Sequence, residues 1–396
     1  MQARVAQERV AEAVDLLAAL VAFDTTSHRS NLDLIRWVAD LLSNVGAGVS
    51  ILPSPDGTKA NLFATLGGAL DGGVVLSAHT DVVPAHAPDW QSNPFELARR
   101  GERLHGRGTC DMKGFIACAL AFALRFDATE SAVPLHIALS YDEELGCLGV
   151  PGIVSELGRS LPRPALAIVG EPTSMRPITA HKGYRAFETN FAGVPAHSSR
   201  PGDGVSAIRI ANAFMTALDR LAGELATGVT VAGMEPACAT LNVGRIEGGL
   251  ATNVVAPQCR IFWELRPVPG TDVDAALRRL DEMVGESLPQ DLASRDARTL
   301  IATRQTAAEP VFADRGGPAF RLARELTGVA LEETAAYGSE AGFFHEAGLS
   351  TVIVGPGDVG QAHRIDEYIE MRDISAGLAF LDALGERLRT NGLDGL

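Results

Sequence analysis

Disulfide frameworks, membrane spans and nucleic-acid surfaces each need something this sequence has little of. Its five cysteines, Cys110, Cys118, Cys147, Cys238 and Cys259, are an odd number with no Cys-x-x-Cys pair. That usage fits a reducing compartment better than a set of structural disulfides. No apolar run reaches the roughly 18 residues a membrane-spanning helix needs. Lys and Arg total 34 against 49 Asp and Glu, a net charge of −15, so the basic footprint of a nucleic-acid surface is missing. A Gly-x-Gly-x-x-Gly turn between the first strand and helix is also missing, which argues against a dinucleotide-binding oxidoreductase. Repeats, low-complexity tracts and long linkers do not occur. The opening stretch "MQARVAQERVAEAVDLLAALVAF" sets Glu8, Glu12 and Asp15 among helix-spaced apolar residues without a small-residue cleavage site. It reads as an amphipathic helix and not a signal peptide. The expectation is a soluble, cytoplasmic, acidic protein with no nucleic-acid or membrane partner.

What is present suggests two domains, because 396 residues exceed one ordinary core. Residues 8–23 and 31–45 read as helices, and "SILP", "NLFATL", "GVVLSAH", "PLHIALSY" and "ALAIVGE" as strands. "DMKGFIACALAFALRF" reads as a buried helix with Asp111 as its N-cap. This alternation implies an α/β domain with a mostly parallel sheet. After "GEPTSMRP" the pattern changes to half-exposed strands at 180–193, "TLNVGRIEGG" and "QCRIFWELRP", with helices at 204–221 and 272–284. That is a largely antiparallel α+β pattern. Near residue 307 the α/β signature resumes with helices at about 318–326 and 340–346 and the strand "STVIVGPG". The reading is a first domain of residues 1–179 and 308–396, interrupted by an inserted domain of 180–307.

The polar residues fall in a telling place. "VVLSAHTD" ends in His79 and Asp81, "LHIALSYDEE" in Glu143 and Glu144, "LAIVGE" in Glu171, and "TVIVGPGDVGQAH" leads to His363. Open parallel sheets bind ligands outside the carboxyl ends of their strands, so these side chains can share one crevice. Asp111 follows the glycine-punctuated "HGRGTCD". A strand ending in three acids, Asp142, Glu143 and Glu144, is costly unless cations sit beside it. His nitrogen and carboxylate oxygen suit divalent zinc, and two dications would balance the acid block. Singly, each residue has an ordinary alternative as a strand-end hydrogen-bonder, a solvated turn or a helix cap. Spacing alone leaves the ligand list open.

At these residues the chain resembles the dinuclear zinc aminoacylase/carboxypeptidase family. "SAHTDVVP", "GRGTCDMKGF", "DEELGCLG", "GEPT", "AHSSRPGDGVSAI" and "GPGDVGQAHRIDEYI" stand in the family's order over nearly the whole chain. Within the family, "SPDGTKANLFATL" and "YGSEAGFFHEAGLSTVIVGPGDVGQAHRIDEYI" look most like the branch that deacetylates acetylornithine. The resemblance implies two zinc ions, with cobalt able to substitute. His79 and Glu171 would hold one, Glu144 and His363 the other, and Asp111 would bridge them. It makes Glu143 the general base and Asp81 the residue that orients His79 through its second ring nitrogen. The implied fold is a catalytic domain with an inserted dimerisation (lid) domain, from which His197 would reach the partner subunit's site and donate to the developing oxyanion. The implied partners are thus a small N-acyl amino acid and a second copy of the chain.

Asn253 and Arg266 match family positions that hold the substrate carboxylate, although Arg266 also suits a strand-end salt bridge. Gly338 and Ser339 match a pocket-lining loop, and Lys182 is a weaker candidate. Cys110 reads as a packed apolar residue and His105 as structural. Glu332 and Glu333 read as solvated surface, although acids facing the pocket would suit an ammonium. Desuccinylation of succinyl-diaminopimelate, another N-acyl amino acid hydrolase, and a non-catalytic binding relative are the alternatives.

Overall fold

A computed structural model describes residues 2–68, 70–294 and 300–396. The chain forms two compact units: Met1–Ala180 with Ala313–Glu333 and Ser339–Leu396, and His181–Phe312 with Thr334–Gly338.

In the first unit, Val74–His79 is a central strand with all six residues buried. It pairs in parallel with Leu135–Ser140 on one side and Leu166–Val169 on the other. Ser350–Ile353 continues the parallel set beside Leu166–Val169. Antiparallel strands flank this centre: Ala60–Leu66 and then Gly48–Pro53 at one side, and Ile178–His181 at the other. The sheet is mixed α/β with a mostly parallel middle, as the strand–helix alternation requires.

Alternation along the strands sorts the two faces. Val74, Leu76 and Ala78 join the large core beneath the helices Gln2–Ala22, Leu32–Asn44, Gly114–Ala123, Pro318–Thr327 and Met371–Thr390. Ser77 turns the other way, where its hydroxyl donates to Glu340 Oε2 at 3.0 Å. Gly114–Ala123 is buried along its whole length, which is why it carries no polar stripe. That helix begins later than the sequence suggested. Asp111 is not its N-cap: the backbone there is extended (φ −120°, ψ 95°) and Lys113 stands before the first helical residue.

The second unit is a four-stranded antiparallel sheet in the order Thr240–Gly248, Gln258–Arg266, Tyr184–Ala192, Ile301–Glu309. The helix Ala207–Ala226 is capped by Ser206, and Val273–Ser287 by Asp272, whose carboxylate accepts from Ala275 N at 2.8 Å. Both pack over one sheet face. Phe187 stacks on Trp263 with ring centroids 4.2 Å apart, and Phe214 meets Trp263 edge-on. Among the described residues no helix is long and apolar enough to cross a membrane.

Gly170, just past Leu166–Val169, lies flat against the helix. A Cβ there would come within 2.0 Å of Phe115, which is itself buried. Gly170→Ala is therefore expected to destabilise the protein by about 1–3 kcal/mol through overpacking, read as a lower urea midpoint with an unchanged slope.

Candidate metal centre

The parallel strands of the first unit deliver their polar ends to one edge. His79 is the last residue of its strand. Glu143 and Glu144 form a short turn after Leu135–Ser140, and Glu171 follows Leu166–Val169 by two residues. Two loops complete the group. One carries Asp111, and the other carries His363, whose backbone is left-handed (φ 63°). Such a conformation in a residue with a Cβ is costly and concentrates at functional sites.

These residues make two triads that share one member. His79, Asp111 and Glu171 bring one ligand atom each within 4.8 Å of one another, and so do Asp111, Glu144 and His363. His79 Nε2 stands 3.1 Å from Asp111 Oδ1, and His363 Nε2 is 3.5 Å from Asp111 Oδ2. His363 Nε2 also lies 2.9 Å from Glu144 Oε2. Glu171 Oε1 is buried without a hydrogen-bond partner. An orphaned carboxylate oxygen facing a histidine and a second acid fits a cation better than it fits a core. The imidazole and carboxylate donor set suits a divalent metal such as zinc. His79 is buried and the His363 side chain is 56% exposed, so one triad is enclosed and the other faces solvent.

The acid block has separate cationic and hydrogen-bonding partners. Asp142, held left-handed (φ 54°), pairs with Lys59. Asp81 takes a part that its spacing did not suggest. Its backbone carbonyl, not its carboxylate, receives the His79 Nδ1–H at 2.9 Å. Its carboxylate instead accepts from Glu143 N at 3.0 Å, Glu144 N at 3.3 Å and Ser27 Oγ at 2.7 Å. Asp81 therefore fixes the imidazole tautomer with one group and the Glu143–Glu144 turn with another. Glu143 belongs to neither triad, and its Oε1 accepts from the Cys147 thiol at 3.6 Å.

Two buried acids that the sequence reading did not single out support these loops. Glu367 accepts from the amides of Gly108, Cys110 and Asp111 at 2.8–3.0 Å and from Arg107 at 2.8 Å. It thereby pins the loop that presents Asp111. Glu340 takes the hydroxyls of Ser77 and Ser140, gripping the ends of two adjacent strands. The signal for Glu367 was its place in "HRIDEYIE" four residues beyond His363. His105 proves structural, with Nδ1 donating to the Asp366 carbonyl at 3.0 Å.

The remaining candidates lie apart from the triads in the sequence and, but for Ser339, in the second unit. Ser339 is buried in the first unit and its hydroxyl accepts from Ala341 N at 3.2 Å. His197 and Asn253 are exposed neighbours: Ser198 N donates to the Asn253 carbonyl at 3.0 Å, and His197 bonds through Nδ1 to the Ser199 hydroxyl at 2.7 Å. Arg266 stacks over the Tyr184 ring at 4.7 Å and donates to Glu264 at 3.0 Å. Lys182 Nζ donates to the Cys238 carbonyl at 2.8 Å.

Burial and mutual repulsion shift the acids and imidazoles of the triads. Burial pushes Glu171 up to about 8, and the nearby Asp111 charge adds to it. The Asp111 and Glu144 hydrogen bonds lift His363 to about 10 against burial. Burial likewise raises Glu143 and Glu144. Asp111 is held below the usual carboxylate range because hydrogen bonds from His363 and His79 outweigh its burial. Against its burial, the Asp111 hydrogen bond and the surrounding acids raise His79 as well. A metal needs the deprotonated form of each ligand, so the protons on Glu171, His363 and His79 must leave on loading. Metal affinity should therefore rise as pH climbs from about 7 to 10, with about two to three protons released per chain at pH 7. Calorimetry in buffers of different ionisation enthalpy measures that release.

Comparison with known proteins gives the family of the chain. A family described as Peptidase family M20/M25/M40 matches residues 75–387. The chain is 37% identical over 369 residues to an acetylornithine deacetylase of Myxococcus xanthus, covering 90% of this chain and 92% of that one. Among solved structures, an M20 metallo-carboxypeptidase from Sulfolobus solfataricus aligns with a TM-score of 0.73 at 15% identity, over 96% of this chain and 99% of that one. A dinuclear metal-binding M20 peptidase of Bacillus subtilis aligns at 0.69 and 14% identity, over 97% and 99%. At such identities the two structures establish a shared fold, and the sequence match at 37% carries the kinship. The chain belongs to the peptidase family M20/M25/M40.

Proposed function

We propose that this chain is a metal-dependent amide hydrolase that removes the acetyl group from N-acetyl-L-ornithine, releasing acetate and L-ornithine, a reaction that would feed arginine synthesis. The observation that carries the reading is the pair of triads sharing Asp111, with the unligated Glu143 beside them. The likeness to acetylornithine deacetylases supports the choice of substrate.

His79, Glu171 and Asp111 would hold one zinc, and Asp111, Glu144 and His363 the other, with cobalt as a substitute. When bound, the metal pair supplies Lewis acidity for the amide carbonyl and acidifies water. The chain's own residues then move protons. Glu143 accepts a proton from the attacking water at a carboxylate oxygen and returns one to the departing amine nitrogen as the C–N bond breaks. Its raised proton affinity suits a group that must both take and give. Asp81 keeps Glu143 in place through the backbone amide.

The second unit supports a homodimer. His197 and Asn253 follow the Ala192 end of the Tyr184–Ala192 strand, whereas Arg266 lies beside Tyr184 at the other end. The Gln258–Arg266 strand separates these ends by roughly 25 Å at about 3.3 Å per residue. No single acyl amino acid bridges that span. A site that uses both sets would draw His197 and Asn253 from one copy and Arg266 from another.

Zinc-loaded protein is expected to hydrolyse N-acetyl-L-ornithine in preference to N-succinyl-diaminopimelate, and a chelator should abolish turnover. Preference for the succinyl compound would overturn the substrate assignment and leave the hydrolase. Glu143→Gln should retain its metals and lose roughly 10²–10⁴-fold in kcat, measured by acetate release beside metal analysis. Normal turnover by that variant would overturn the role of Glu143.

A further inference from the structure

Glu340 is a buried acid to which the reaction above gives no part. It stands at the start of the Ala341–Glu346 helix and is only 1% exposed. Its two carboxylate oxygens meet hydroxyls: Oε2 accepts from Ser77 Oγ at 3.0 Å, and Oε1 from Ser140 Oγ. Both serines are themselves fully buried. Apolar side chains could join two buried strands without the desolvation cost of a carboxylate. The acid needs another reason.

Register supplies one. Ser140 pairs directly with His79 in the ladder, and Ser77 lies two residues before His79 on the same sheet face. Those steps are roughly 5 Å across the strands and 7 Å along one. Ser77 also pairs with Val169, two residues before Glu171. The two anchors of Glu340 therefore flank the strand ends that carry His79 and Glu171, the two ligands that belong to the enclosed triad alone.

The charges follow the same geometry. Burial and the Asp111 charge raise Glu171, and the Glu340 charge adds to them. Burial raises Glu340 itself, against the Ser140 hydrogen bond and the His79 charge. In the open triad, Glu144 answers first to burial and the His363 hydrogen bond, and His363 to its hydrogen bonds with Asp111 and Glu144.

We propose that Glu340 is a positioning residue for a cation in the enclosed triad: it holds the end of the His79 strand through Ser77 and Ser140 and sets a negative charge beside His79 and Glu171. The inference rests on the two-triad metal centre and makes only one of its two sites depend on this buried acid.

The test titrates metal-free protein with zinc against a competing chelator, in wild type, Glu340→Gln, Glu171→Ala and the Glu340→Gln/Glu171→Ala double variant. Glutamine keeps the shape of the side chain and removes its charge. Glu340→Gln should weaken one of the two zinc sites by roughly ten-fold or more and spare the other. In the Glu171→Ala background, where only the open triad binds, the same change should leave the remaining affinity as it was. A residue that merely supports the fold would weaken both sites together. Equal weakening of both sites, unchanged affinity at both, or a loss confined to the open triad would overturn the proposal. Should Glu340→Gln fail to fold, the triple variant Ser77→Ala/Ser140→Ala/Glu340→Leu leaves no buried polar partner behind and should show the same one-site loss. Wild type that binds no zinc would overturn the metal centre and this inference with it. Two bound ions indifferent to Glu340 would overturn the inference alone.

Discussion

Asp111 stands between two imidazoles, 3.1 Å from one and 3.5 Å from the other, and Glu144 and Glu171 close in from either side. Gathering three carboxylates at the edge of a buried sheet costs more than hydrogen bonding to water-free backbone returns. Burial accordingly drives Glu143, Glu144 and Glu171 toward their protonated forms. The protein holds the arrangement with long-range supports whose only evident purpose is to fix it. Glu367 comes from the far end of the chain to hold the Asp111 loop, and Arg107 neutralises Glu367 in turn. Lys59 answers Asp142, and Asp81 locks the turn that follows. Cations in the triads are the remaining partner that the charge balance calls for.

The fold makes such a cluster attainable. Parallel strands put their carboxyl ends on one side, and each continues into a loop that need carry only one or two polar residues. Alternation keeps the strand interiors in the core, so His79 can sit directly beyond five buried neighbours. The His79 side is enclosed and the His363 side chain is exposed, so the cluster opens toward solvent on the His363 side.

Much of this was legible in the sequence because the signals are local. Strands of the first unit announce themselves as apolar runs, and each ends in the residue that matters. The helices capped by Ser206 and Asp272 were visible for the same reason. Other features depend on contacts distant in sequence. The Ile301–Glu309 strand, "IATRQTAAE", has little apolar periodicity, since most of it is exposed or half-buried, and only its pairing with Tyr184–Ala192 assigns it to the second unit. Asp111 looked like a helix cap because it precedes an apolar run; Glu367, more than 250 residues away, bends the loop away from that role. Asp81 two residues past a histidine suggests a carboxylate–imidazole pair, but the strand end turns so that its carbonyl reaches the ring first.

The shared ligand is the centre of the account, and metal stoichiometry tests it most directly. Wild type, Glu171→Ala and Asp111→Ala should each be loaded with zinc, dialysed and counted by atomic emission. Two ions per chain in wild type, one in the Glu171 variant and none in the Asp111 variant is the predicted series. Two ions retained without Asp111 would show that the triads do not share it, and the architecture described here would lose its keystone.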